Sequence, residues 1–124
     1  MFHSCGAWTS EAAEFLRSNY QPGSGVFTTC CTLAPIFQRA GIPLRDTLTW
    51  DNNPQWLAAV ARPDLFLREE WAVAMGGDPV QSTINRAFLR GPRYVLQKTI
   101  MVKGAPVIEI YRRDSQHGIA GESK

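Results

Sequence analysis

The chain is poor in the groups from which most enzyme centres are built. Its 124 residues include 3 cysteines and 2 histidines. Cys5, Cys30 and Cys31 are too few, and odd in number, for a disulfide framework. A bridge between the adjacent Cys30 and Cys31 fits disulfide geometry poorly, so the thiols read as free. His3 and His117 lie near the two ends and no Cys-x-x-Cys occurs, which argues against a zinc site. No metal and no cofactor are expected. Gly-x-Gly-x-x-Gly is absent, and Gly23-Ser24-Gly25 precedes a strand instead of following one, so it cannot set glycines at a helix start against a pyrophosphate. A phosphate loop with Gly-Lys-Ser/Thr, Gly-x-Ser-x-Gly and His-Glu-x-x-His are missing as well.

An excess of one charge is missing too. Thirteen Lys and Arg face 11 Asp and Glu, for a formal net charge of +2. The ten arginines and three lysines are scattered and make no stripe of the kind that tracks phosphates, so no nucleic-acid partner is expected. Long apolar runs are absent. The longest uncharged stretch, Ser18 to Gln38, is interrupted by Pro22, Gly23, Gly25 and Pro35, unlike the run of about 20 apolar residues that spans a bilayer. Met1-Phe2-His3-Ser4-Cys5-Gly6 lacks the basic and apolar regions of a signal peptide. What the chain does have is a 44% hydrophobic composition, which excludes global disorder, and a length that suits one domain with a true core.

Turn chemistry and periodicity divide it. Ser10 reads as the cap of a first helix carrying Ala12, Phe15 and Leu16 on one stripe and stopping near Asn19. Gln21 to Gly25 is turn material, and Val26 to Thr29 a short strand. A helix from about Thr32 carries Leu33, Ile36, Phe37 and Ala40 and ends at Gly41. A second strand is expected over Leu44 to Trp50. Asn53 and Pro54 are the cap and first residue of a third helix, whose buried face should hold Leu57, Val60 and Ala61. Leu65-Phe66-Leu67 reads as a third strand. Glu69 to Met75 is ambiguous, with Trp71, Ala72 and Met75 allowing one or two helical turns. Asp78-Pro79-Val80-Gln81 is a capping-box variant opening a helix with Val80, Ile84, Ala87 and Phe88 inward. Tyr94 to Val102 alternates, with Tyr94, Leu96, Lys98, Ile100 and Val102 on one face, and Val107 to Arg112 follows as the second arm of a hairpin.

Strands alternating with helices predict an α/β fold: a single three-layer, Rossmann-like α/β/α domain over residues 1–113. Its sheet is mostly parallel, with a C-terminal antiparallel hairpin supplying an edge strand. Residues 114–124 read as a flexible tail. Ligands of such sheets bind beyond the carboxyl ends of the strands, which points to Thr29 to Thr32, Trp50 to Asn53, and Arg68 to Glu70. Within these, Cys31, Thr32, Trp50, Asp51, Asn52 and Glu69 are the candidate ligand-binding residues. Cys31 just before a helix start is a candidate low-pKa thiolate, but no histidine in the central part of the chain can serve as its base. Asp51 suits turn and cap work, and Glu69-Glu70 lacks partners for a metal. Trp50, Trp56 and Trp71 suit either core packing or stacking on a sugar. Arg112-Arg113 reads as a guard against edge pairing or, less simply, as an anion site.

The pattern as a whole resembles a known module. Trp8…Glu11-Ala12-Ala13-Glu14-Phe15-Leu16 is similar to its W-x-x-E-x-A-x-Y-I opening. Gly41-Ile42-Pro43-Leu44-Arg45, Asp51-Asn52 with Trp56, Arg62-Pro63-Asp64, Gly77-Asp78-Pro79-Val80, Tyr94-Val95-Leu96 and Val107 to Arg113 continue the likeness over roughly residues 8–113. The module is the soluble C-terminal domain of polytopic glycosyltransferases that use polyprenyl-phosphate sugars, the dolichyl-phosphate-mannose–protein mannosyltransferase-like group. The resemblance implies an extracytoplasmic α/β domain partnered by a membrane-embedded transferase core. It implies a non-catalytic accessory role or the binding of a saccharide or acceptor, and it assigns no catalytic residue here. Two other readings stay open: a small stand-alone cytosolic enzyme using Cys31 with Asp51 or Glu69, and an oligomeric interaction domain using the hairpin edge.

Overall fold

A computed structural model describes residues 2–29, 33–49, 53–101, 104 and 107–114. Helix α1 runs from Phe2 to Asn19, so it begins well before the start that a Ser10 cap would give it. With no proline before Pro22, nothing forces a break, and Ser10 Oγ instead accepts a hydrogen bond from Arg39. Ala12, Ala13 and Leu16 form the buried stripe. After the glycine turn come β1 (Val26–Phe27), α2 (Ala34–Ala40) with Gly41 left-handed at its end, and β2 (Thr47–Leu48). The second strand is shorter than expected because Leu44–Asp46 is a 3-10 turn. Asp46 N bonds back to Pro43 O at 2.9 Å, and its carboxylate is held from across the chain.

The middle of the molecule corrects two expectations. Helix α3 (Asn53–Ala61) turns Trp56 and Ala59 inward and leaves Leu57 half exposed. The indole decides this rotation: Trp56 Nε1 donates to Thr28 O at 2.7 Å, and its ring packs 6.3 Å from that of Phe27. Leu65-Phe66-Leu67 is not a strand. Pro63 to Phe66 form the short helix α4, whose amides at Leu65 and Phe66 bond to Arg62 O. The third strand is β3, Trp71–Met75, a segment whose sequence also allows helical turns. Trp71 to Ala74 are fully buried, and a strand covered on both faces loses the alternation that identifies half-exposed strands.

Helix α5 (Pro79–Arg90) opens as expected: Asp78 Oδ1 accepts from Gln81 N at 2.9 Å, and Gln81 Oε1 reaches back to Gly77 N at 2.7 Å. Strands β4 (Tyr94–Ile100) and β5 (Ile108–Arg113) follow. The sheet order is β2-β1-β3-β5-β4. β1 pairs in parallel with β2 and β3, whereas β5 is antiparallel to both β3 and β4. Four strands therefore point one way and β5 runs against them, giving a mixed α/β sheet.

The last strand is not an edge. Ile108 and Ile110 of β5 are both fully buried, while β4 exposes Val95 and Leu96. The more apolar arm takes the inner position, and β4 forms the edge. Arg112 and Arg113 consequently do not guard an edge. Arg112 Nε donates to Glu70 Oε2 at 2.6 Å and its guanidinium lies 4.9 Å over the Trp71 ring. Arg113 donates to Leu67 O at 3.0 Å.

Two apolar clusters share the sheet. Val26, Trp71, Val73 and Ile110 pack with Leu16 of α1 and Ile36 of α2. Phe27, Ala72 and Ala74 pack with Trp56 of α3 and Ile84 of α5. Successive residues of β1 and β3 alternate between the clusters, as the period of two requires. Tyr94 and Ile100 belong to opposite clusters although six positions separate them. The cause is a register shift: Leu96 pairs with Tyr111 and Lys98 with Ile110, leaving Gln97 as the extra residue. A bulge reverses the facing of everything beyond it, so the single face expected for Tyr94 to Val102 does not exist; Val102 itself lies outside the described residues.

Candidate functional site

Of the six candidate binding residues, Cys31, Thr32, Trp50, Asp51 and Asn52 lie outside the described residues, as do both histidines except the backbone of His3. Glu69 is described, and it does not stand where the sequence put it. Because the third strand is Trp71–Met75, Arg68, Glu69 and Glu70 precede a strand instead of following one, at the amino ends of β1 and β3. Glu70 is occupied structurally, its amide bonding Ser24 O at 3.0 Å and its carboxylate holding Arg112. Trp56 and Trp71 are core residues, which removes both as sugar-stacking platforms. Trp71 meets Phe15 edge-on at 6.2 Å, and its Nε1 is buried without a partner among the described residues.

A cavity of about 540 Å³ opens beside β2, the strand at one margin of the sheet. Its walls come from three elements: Arg45 and Asp46 of the 3-10 turn, Pro54, Gln55 and Ala58 of α3, and Phe66, Arg68 and Glu69 from the end of α4 onward. Phe66 is 51% exposed, an aromatic ring left against solvent at the cavity wall. α3 carries no charged residue, so one side of the cavity is uncharged while the opposite rim carries guanidinium and carboxylate groups.

The Asp46 carboxylate is tied down by the surrounding chain. Asp46 Oδ2 accepts from Tyr20 OH at 2.6 Å and from Gly23 N at 3.0 Å, and Gly25 N donates to the same Tyr20 oxygen at 2.9 Å. The Tyr20 hydrogen bond, then that of Gly23, hold the Asp46 carboxyl below the usual carboxylate range. Burial, then the Asp46 partner, push the Tyr20 phenol up to about 12. Asp46 is therefore an anion that gives no proton, and Tyr20 is a neutral donor near neutral pH. Glu69 packs against Gly25 so closely that a β-carbon there would stand 2.8 Å from Glu69 Cγ. Its carbonyl accepts the hydroxyl of Tyr94, and burial raises the Tyr94 phenol far above its ordinary range.

At the other end of β3, Asp78, Gln81, Glu109 and Tyr111 form a second polar group. Gln81 Nε2 and Tyr111 OH both donate to Glu109 Oε1, at 2.5 and 2.8 Å. Desolvation raises the Asp78 carboxyl. Each of its oxygens already accepts a backbone amide, from Met75 or Gln81, so this group joins β3, α5 and β5 and is committed to structure.

Among the described residues, no cluster of His, Cys, Asp and Glu can hold a metal ion, and no helix is long and apolar enough to cross a membrane. The sequence alone missed Arg45, Asp46, Gln55 and Phe66. Tyr20 and Asp46 are 26 residues apart in no recognisable motif, and Leu65-Phe66, which the apolar run suggests is buried strand, is exposed. Comparison with known proteins finds no matching family model, no matching curated protein and no matching solved structure.

Proposed function

We infer that this chain is a non-catalytic accessory domain that binds a saccharide ligand or acceptor, working beside the membrane-embedded core of a polyprenyl-phosphate-sugar glycosyltransferase on the extracytoplasmic side. The three-layer α/β/α arrangement belongs to the same reading, with α1 and α2 over one cluster and α3 and α5 over the other. One observation supports the binding role above all. The cavity beside β2 joins an uncharged helix wall and a half-exposed phenylalanine to a rim of hydrogen-bonding groups, and its Asp46 carboxylate is engaged by Tyr20 and Gly23. Sites that recognise small molecules combine apolar walls with a few polar groups in this way. General acid–base catalysis needs a group whose proton moves near the working pH; Asp46 is held ionised and Tyr20 is held neutral.

The experiment is a pair of measurements on the 124-residue chain. Saccharide titrations followed by amide NMR should move the resonances of residues 45–48 and 66–69. Iodoacetamide should label Cys31 no faster than an ordinary thiol with a pKa of about 8.5. Rapid labelling of Cys31 near pH 7, with no saccharide response at the cavity, would replace this reading with a thiol enzyme.

A further inference from the structure

The cavity beside β2 is unequal in what its charged groups still have to offer. Asp46 Oδ2 already accepts from Tyr20 and Gly23, and Glu69 Oε1 accepts the Arg68 amide at 3.3 Å. The arginines are in the opposite state. Arg45 and Arg68 are exposed on the same cavity, and among the described residues neither guanidinium makes a hydrogen bond or a close ion pair, Arg45 acting on Asp46 only at longer range. Other arginines do find acceptors: Arg17, Arg62, Arg86, Arg112 and Arg113 are all engaged. A guanidinium presents five N–H donors in a flat fork that matches carboxylate and phosphate oxygens. Two such forks beside one cavity leave guanidinium donors open to a ligand's oxyanion there, on a rim whose charges are balanced in number by Asp46 and Glu69.

We propose that the β2 cavity selects a sugar-sized ligand bearing an oxyanion, a carboxylate or a phosphate, with Arg45 and Arg68 gripping the anion and Phe66 covering a face of the ring. This rests on the ligand-binding reading above and narrows it to one chemical class. Phe66 and Pro54 supply the apolar contact for the C–H face, and Gln55 supplies a neutral donor and acceptor for hydroxyl groups.

The test titrates the 124-residue chain with glucuronate, glucose 1-phosphate, glucose and inorganic phosphate, read by amide NMR shifts. Glucuronate and glucose 1-phosphate should move residues 45–48 and 66–69, and added salt should weaken them. Charge-assisted hydrogen bonds of ordinary strength make the expected loss about tenfold or more in Arg45→Ala or Arg68→Ala. Arg68→Lys, which keeps the charge, should recover part of the affinity, and Arg17→Ala, away from the cavity, should leave it unchanged. Melting curves check that each variant folds. Glucose binding as tightly as glucuronate overturns the anion requirement and leaves the saccharide-binding reading standing. Inorganic phosphate binding as tightly as glucose 1-phosphate overturns recognition of the ring. No response to any of the four overturns both this proposal and the reading beneath it.

Discussion

Gly25→Ala probes the joint on which the cavity is hung. Gly25 has φ +88°, and a side chain in the left-handed region costs about 1–2 kcal/mol. The new β-carbon would also stand 2.8 Å from Glu69 Cγ and 3.3 Å from Glu69 Cβ. Neither atom is the free end of the side chain. The backbone beside them is held by Glu70 N to Ser24 O at 3.0 Å and Trp71 N to Gly25 O at 3.1 Å, so residue 69 cannot slide away without loosening β1 from β3. Overpacking of this kind costs about 1–3 kcal/mol. The two effects together come to about 2–5 kcal/mol, and at about 4 °C per kcal/mol for a chain of this size the melting temperature should fall by about 8–20 °C. Thermal and urea unfolding followed by tryptophan fluorescence measure it. Adding Glu69→Ala to the variant removes Cγ and should return the larger share of the steric part, while leaving the backbone part in place. A loss under about 1 kcal/mol in the single variant, or no recovery in the double, would refute the close approach of residues 25 and 69.

Trp56→Phe removes the donor to Thr28 O and leaves that buried carbonyl unpaired, which should cost about 1–3 kcal/mol in urea unfolding. Deleting Gln97 abolishes the extra residue of β4, so either Tyr94 or Ile100 must leave its cluster; a loss of about 2–4 kcal/mol is expected, and an unchanged urea midpoint would show that the bulge does not set the facing. Asp78→Asn tests a pH effect. The folded-state pKa of Asp78 is raised by desolvation, so its stabilisation is complete below the ordinary carboxyl value of about 3.9 and is lost as pH rises through the folded value. Asn does not titrate, so the stability of the natural chain relative to the variant should decline on going from pH 3.5 to pH 7; a flat difference counts against the desolvated carboxyl.

Local chemistry was legible where a residue acts on its own neighbours. The Asp78-Pro79…Gln81 start of α5, Gly41 at the end of α2 and the alternation of the second hairpin arm follow from capping, left-handed glycine and period two, all settled within a few residues. The composition likewise determined that a core forms and that metal-ligand and nucleophile–base motifs are scarce. Everything decided by a partner far along the chain needed the tertiary structure. Trp71 to Met75 could not be told from helix because burial on both faces erases the alternation, and only pairing with β1 and β5 makes it the central strand. Gln97 looked like one more alternating residue until β5 imposed its register. The cavity beside β2 gathers Arg45 and Arg68 into one lining through a sheet order that no local pattern encodes, because which strand lies beside which is set by the summed burial of whole elements and not by any single turn.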